Sequence, residues 1–426
     1  MGSPDTFYTE TAINTAKFES LNQHIDTDVC VVGAGLAGLS CAQSLRDLGK
    51  NVVLLEAKEV AWGASGRNGG FVSPGFANGQ DYIERRLGLK AAQSLFSISL
   101  EGVKIISNNI ETYNLDGVAK THGKLSVLRY NNESLVRDHC INMQRKYDCE
   151  LEFVDRDAMS NYAQTDSYFQ GSLDKQAFHF HPLNYCLGLA QVIAKQGVKI
   201  FENSEVIDMQ LDANNKVITT KNGSVTAKQV VLCGGGYSGK VYGKINKTIL
   251  PIATYVITTE KLGNNIHDFV KTKAGIIDNR KASDYYRIVD NDRLLWGGRI
   301  TAKTSEPKQL AQLIKNDVLN VYPALKDAKI DFAWTGLMAY ARHQMPYIGK
   351  LKDGVWTCTA FGGHGVNTSA IGGRIIAEAV ADTSERYKQF KPFKLQLNGG
   401  VFGPLASQTI YRGMKIEDWW RESRFN

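Results

Sequence analysis

The sequence has no CxxC pair, no apolar run approaching the length of a membrane span, and no block of basic residues. Without pairing or ligand spacing, Cys30, Cys41, Cys140, Cys149, Cys186, Cys233 and Cys358 suggest neither a disulfide framework nor a metal centre. Their odd count and scatter point to a reducing compartment. The 50 basic and 43 acidic residues are spread thinly, so the net charge of +7 makes no case for nucleic acid as a partner. No basic segment followed by an apolar core opens the chain, so a cytoplasmic protein is expected. There is no internal repeat and no low-complexity tract. What remains is an ordinary globular composition, 43% apolar, in a chain long enough at 426 residues for two or three domains.

The organising stretch is Asp28 to Glu56. An apolar run, Val29 to Val32, reads as a buried parallel strand, and Leu39 to Leu48 as a helix ended by Gly49. A second strand, Asn51 to Leu55, is closed by Glu56. Between strand and helix lies Gly33-Ala34-Gly35-Leu36-Ala37-Gly38. Gly33 suits a tight turn, Gly35 a close approach of backbone to a pyrophosphate, and Gly38 close helix–strand packing. A pyrophosphate would sit on the helix N-terminus, and Glu56 is placed to accept from an adenosine ribose. The motif alone is weak; strand, helix, second strand and terminal acid together make it specific.

Further glycine clusters follow. Trp62 to Gly70 reads WGASGRNGG, Gln229 to Cys233 runs as a strand into Gly234-Gly235-Gly236, and Gly362-Gly363-His364-Gly365 opens a helix from Val366 to Asp382. Between them, Asp81 to Ile110 is helical and Gly123 to Arg129 strand-like; Pro182 to Gln196 and Pro307 to Leu319 read as helices. Ile249 to Glu260, Arg293 to Ile300 and Ile330 to Ala341 read as strands of a second, β-rich domain.

These motifs, in this order, resemble the FAD-dependent amine and amino-acid oxidoreductases of the glycine oxidase, sarcosine oxidase and D-amino-acid oxidase type. The SGRNGG loop is similar to the γ-glutamylputrescine oxidase branch. The resemblance covers nearly the whole chain. It implies an α/β (α+β) fold: a Rossmann-like, GR2-type FAD-binding domain with an interleaved β-rich substrate domain. The expected divisions are 28–90, 150–245 and 346–426 for FAD, 91–149 and 246–345 for substrate, and 1–27 as an N-terminal arm.

FAD, bound noncovalently because no cysteine lies in Trp334 to Gly349, is expected against four groups of residues. They are Gly33, Gly35, Leu36, Ala37, Gly38, Glu56 and Ala57; the loop Ala64, Ser65, Gly66, Arg67, Asn68, Gly69 and Gly70; Val206, Gly234 and Gly235; and Gly363, His364, Gly365, Val366, Asn367 and Thr368. The implied reaction oxidises the C–N bond of an amine or amino acid to an imine that water hydrolyses. Oxygen is the expected acceptor; a dehydrogenase using quinone or another acceptor is the alternative, and a flavin-bearing tRNA-modification factor a remote one.

His364, Arg299 and Tyr255 are the expected catalytic residues. Tyr255, Tyr286, Trp296, Trp334 and Arg342 are expected to contact substrate, with Tyr285, Tyr340 and Arg287 as further candidates. Sarcosine oxidase-like members place a lysine after the late glycine turn, where Asn367 stands here, and another on a strand facing the flavin. The corresponding strand here, Leu294 to Arg299, is apolar around that point, which argues against a small amino acid as substrate. His343 lies beside the expected flavin edge. His179 and His181, two apart, have no acid or cysteine nearby, and no metal is expected. The tail, with Ile416, Trp419 and Trp420 among basic residues, suggests an interfacial helix, but packing on the protein's own surface is the expected arrangement. Oligomeric state is left open.

Overall fold

The computed structural model describes residues 5–13, 17–238, 242–281 and 283–425. Its first sheet is centred on His24–Val32, whose Cys30 and Val31 are sealed from water on both faces, as a central parallel strand requires. Val29–Val32 pair in parallel with Val52–Leu55 on one side and with Gln229–Leu232 on the other. Lys199–Phe201 and Val355–Thr359 extend the parallel core, and Tyr347–Lys352 closes one edge antiparallel. The hairpin Val206–Gln210 and Lys216–Thr220 hangs from the strand Ser224–Leu232.

Two helices cover one face of this sheet, Leu36–Asp47 and Gly365–Val380. They cross at a glycine. A methyl on Gly373 would lie 2.5 Å from the Ala37 carbonyl and 2.6 Å from the Cys41 nitrogen, and the Ser40 hydroxyl donates to the Ala370 carbonyl at 2.6 Å. The late helix thus returns the chain to the first βαβ unit, more than three hundred residues on.

The second sheet runs Ile330–Ala341, Ile249–Thr259, Arg293–Thr301, Tyr285–Val289, Gly275–Asp278, Thr121–Val127, Gly171–His179 and Phe71–Val72, with Glu152–Val154 on the side. Phe71–Val72, Glu152–Val154 and Gly171–His179 come from stretches assigned on sequence to the cofactor domain, yet they pair here. One face packs on the helix Leu310–Val321 around Leu125, Ile257, Tyr286, Trp296 and Ile314. The other face turns toward the first sheet. The short helix Phe7–Glu10, capped by Thr6, buries Phe7 and Tyr8 in the main core.

The crossing at Gly373 gives a test. Gly373→Ala should cost about 1–3 kcal/mol through overpacking. Gly413→Ala, at a helical position with open space around it, should be neutral or slightly stabilising. Thermal midpoints of the two variants check this; equal midpoints would contradict the tight crossing.

Candidate active site

A single cavity of about 920 Å³ starts at the βαβ turn and ends against the inner face of the second sheet. At the turn, Gly33 has φ +105° and donates its N–H to the Leu55 carbonyl at 2.7 Å. A methyl on Gly38 would sit 1.8 Å from the Gly33 carbonyl oxygen, so Gly38 does the packing expected of it and stays behind the wall. Gly33, Gly35, Leu36, Ala37, Glu56 and Ala57 line the cavity, as do Val206, Gly234 and Gly235. The Glu56 carboxylate accepts from the Ala34 and Lys58 N–H groups at 2.8 and 3.0 Å. Burial holds its pKa above the usual carboxylate value against those bonds.

The loop after Trp62 is shaped by its own polar groups. Asn68 Nδ2 donates to the Ala64 and Ser65 carbonyls, and its Oδ1 accepts from the Gly70 N–H at 2.8 Å. Arg67 donates to the Trp62 carbonyl from Nε at 3.0 Å and to the Thr335 carbonyl at 3.3 Å, under the rings of Trp62 and Tyr237. Ala64, Ser65, Arg67, Asn68 and Gly69 reach the cavity; Gly66 and Gly70 do not. Gly70, expected against the cofactor, lies outside the cavity, and Gly69, which lines it, has a second neighbour. A methyl on Gly69 would meet the Tyr285 ring at 2.4 Å, and one on Gly70 the Phe180 carbonyl at 2.3 Å and Arg287 at 2.7 Å. These glycines let protein approach protein.

At the far end, Gly363, His364, Gly365, Val366 and Asn367 line the cavity at the start of the Gly365–Val380 helix, which has no side-chain cap. Thr368 is turned away, its hydroxyl donating to the His364 carbonyl at 2.5 Å. His364 donates from Nε2 to the Ser73 carbonyl at 2.8 Å. Burial, helped by the charge of Lys124, holds its pKa at about 4, so the ring is neutral at pH 7.

The second sheet distributes the expected substrate residues by parity, because successive strand residues face opposite ways. Tyr285 and Tyr340 line the cavity. Tyr286 and Trp296 instead stack in the second core, with ring centroids 4.3 Å apart and planes 5° off parallel, and both are wholly buried. Tyr255 joins that core, while its neighbour Thr254 faces the cavity. Trp334 packs against Tyr8 and donates from Nε1 to the Arg67 carbonyl at 2.9 Å. Arg342 is exposed and lies outside the cavity lining.

Arg299 reaches the cavity, but its guanidinium is held bidentately by Asp317, at 2.5 and 2.9 Å. Arg287 is a buried clamp behind Gly69. His343 and the pair His179 and His181 have structural work: His343 Nδ1 accepts from the Met345 N–H, His179 donates to the Lys273 carbonyl, and His181 caps the helix Pro182–Lys195. Among the described residues no cluster of His, Cys, Asp and Glu could hold a metal ion.

One residue went unnoticed on sequence. Lys124, on Thr121–Val127, lines the cavity with Ser126, while Leu125 and Val127 between and beyond them enter the second core. Among the described residues its ammonium has no hydrogen bond or ion pair. Burial pushes its pKa down, with Asp174 opposing. The available signal was the alternation Lys-Leu-Ser-Val, a strand polar on one face and apolar on the other.

Residues 28–379 match the family described as FAD dependent oxidoreductase, DAO. The chain belongs to that family. Its donor set suits the cofactor: a glycine turn, a buried carboxylate at one end of the cavity, and an uncapped helix N-terminus at the other. Among relatives, the chain is 34% identical to gamma-glutamylputrescine oxidoreductase of Escherichia coli K12, over 90% of this chain and 91% of that one. It is 31% identical to a probable oxidoreductase, OrdL, of Haemophilus influenzae, over 98% and 97%. Glycine oxidase of Bacillus cereus superposes with TM-score 0.70 at 21% identity, over 85% of this chain and 97% of that one. L-proline dehydrogenase of P. horikoshii gives 0.71 at 17%, over 87% and 100%. At those identities the two structures speak for the fold.

The parity correction is testable. Tyr286→Phe removes the 2.7 Å hydroxyl contact with Tyr322 and should cost about 1 kcal/mol of stability with KM unchanged. A raised KM at unaltered thermal midpoint would return Tyr286 to the substrate site.

Proposed function

We propose that this family member oxidises the primary amine of an aminoalkyl chain, a γ-glutamylated amine being the leading substrate class. The observation that carries the reading is the pairing, at one end of a dinucleotide-sized cavity, of an unpaired lysine with a neutral histidine and an uncapped helix N-terminus. The 34% identity to an oxidoreductase named for gamma-glutamylputrescine supports the substrate class.

In this reading Gly33, Gly35 and the start of the Leu36–Asp47 helix hold the pyrophosphate, and Glu56 holds the adenosine ribose. The cofactor is held without a covalent bond. When bound, FAD supplies the two-electron acceptor for hydride from the carbon bearing nitrogen. The chain's residues do the rest. The N–H groups at Gly365 and Val366 favour negative charge beside them. Tyr285 and Tyr340 form an apolar wall, and Asn279 and Ser283, which also line the cavity, suit a polar head group.

Lys124 sets protonation. A cationic Lys124 disfavours a second cation nearby, so the amine is bound neutral, with its lone pair free. His364 stays neutral from about pH 4 upward and orients the turn through Ser73. No strong protein base is required. With oxygen as acceptor, each aldehyde formed is matched by one hydrogen peroxide.

The pH profile tests this. Turnover should rise with pH along a limb set by the bound amine, with no step near the ordinary histidine value, since His364 titrates well below it. Lys124→Met removes the like charge, so the amine holds its proton more tightly and the limb should move up by about 1 unit or more. An unmoved limb would refute the role given to Lys124. Product analysis tests the rest: aldehyde with matching peroxide supports an amine oxidase, whereas dye reduction without peroxide would mean a dehydrogenase.

A further inference from the structure

We propose that the outward face of the C-terminal helix, Gly403–Phe425, docks the protein on an anionic lipid surface. This goes beyond the reaction proposed above and does not depend on it. The helix is attached through its other face. Tyr411 is buried and its hydroxyl accepts from the Ile300 N–H at 3.0 Å; Gln408 Oε1 accepts from the Thr301 hydroxyl at 2.8 Å. Asp418 accepts from the Lys281 N–H, Glu417 pairs with Lys281 at 2.6 Å, and Glu422 with Arg129 at 3.3 Å.

The face turned away carries apolar residues at both ends of the helix, with Thr409 and Arg412 between them. Leu405, Ile416, Trp419 and Trp420 project there, with Phe402 just before the helix. Phe402, Leu405, Ile416 and Trp419 are 66–73% exposed and Trp420 47%. Val401 and Leu397, at 86% and 70%, continue the patch into the preceding segment. Single exposed hydrophobes are ordinary, but several along one helix mark an interaction surface.

Charge identifies the occupant. The acids Glu417, Asp418 and Glu422 point at the protein, and Lys415 leans over the buried Tyr411 ring, whereas Arg412 and Arg424 are exposed beside the apolar residues. Lys244 and Lys247, exposed, stand at the other end of the patch, where the Lys247 carbonyl accepts from the Asn398 N–H at 2.8 Å. A second copy docked face to face would set these cations against one another. A layer of anionic headgroups complements them, takes the aliphatic side chains at the acyl boundary, and suits tryptophan at that depth. No described helix is long and apolar enough to cross a membrane, so the contact is in-plane.

Flotation of the full-length, FAD-loaded protein tests the proposal, using vesicles of phosphatidylcholine alone or mixed with phosphatidylglycerol. Saturable, salt-sensitive binding to the anionic vesicles is expected, with a blue shift of tryptophan emission. Trp419→Ala combined with Trp420→Ala should weaken binding at least about tenfold while flavin content and thermal midpoint hold. Arg412→Gln with Lys247→Gln should remove the preference for anionic lipid. Absence of binding by the folded protein, equal binding to both vesicle types, or a dimer that the tryptophan variant dissolves without any vesicle binding would each overturn it.

Discussion

Two buried guanidiniums, those of Arg67 and Arg287, hold the loop from Ala64 to Gly70 between the two sheets, and their hydrogen bonds run to neutral acceptors. Arg287 donates to the Gly69 and Phe180 carbonyls at 2.8 Å, to the Tyr8 hydroxyl at 3.0 Å and to His179 Nδ1 at 3.2 Å. Arg67 donates to the Trp62 and Thr335 carbonyls, and Trp334 donates back to the Arg67 carbonyl. A buried cation is costly unless all its donors are used, and a carbonyl robbed of its donor pays the desolvation in turn. The clamp is therefore cooperative: loop, N-terminal helix and second sheet fix one another. His179 and His181 are kept neutral, at about 3, by burial beside that charge.

The cavity inherits its shape from this arrangement. Gly70 sits at φ +79° where only glycine lets Arg287 reach the Phe180 carbonyl, and Gly69 lets the Tyr285 ring approach the loop closely. Tyr285 thereby becomes wall while Tyr286 becomes core. The close crossing of the late helix on the first brings Gly363 to Asn367 to the same cavity as Gly33 and Glu56. In the proposed reading, cofactor anchoring and chemistry are separated along one cavity, the first at the βαβ unit and the second where late turn and second sheet meet.

Much of this was legible in the sequence where periodicity and glycine agree. Strand, turn, helix, strand and acid from Asp28 to Glu56 fold as read, because each local preference points the same way. The late glycine turn and the helix it opens were legible for the same reason. Parity was not. Adjacent Tyr285 and Tyr286 are equivalent by composition, and which one faces the cavity is decided by the helix Leu310–Val321 covering the opposite face. Lys124 was hidden by the usual meaning of its pattern, since a lysine on an alternating strand normally faces water. Arg299 was legible as an arginine near the site but not as the partner of Asp317, eighteen residues on.

FAD in this cavity is proposed to meet an amine at the Lys124 and His364 end. Anaerobic titration of the FAD-loaded protein with a γ-glutamylated diamine, followed in the visible spectrum, tests it most directly. Stepwise bleaching of the flavin bands to an endpoint near one amine per flavin is the predicted result. A protein that shows no flavin bands even after FAD is added, or a bound flavin that no amine or amino acid bleaches, would contradict it.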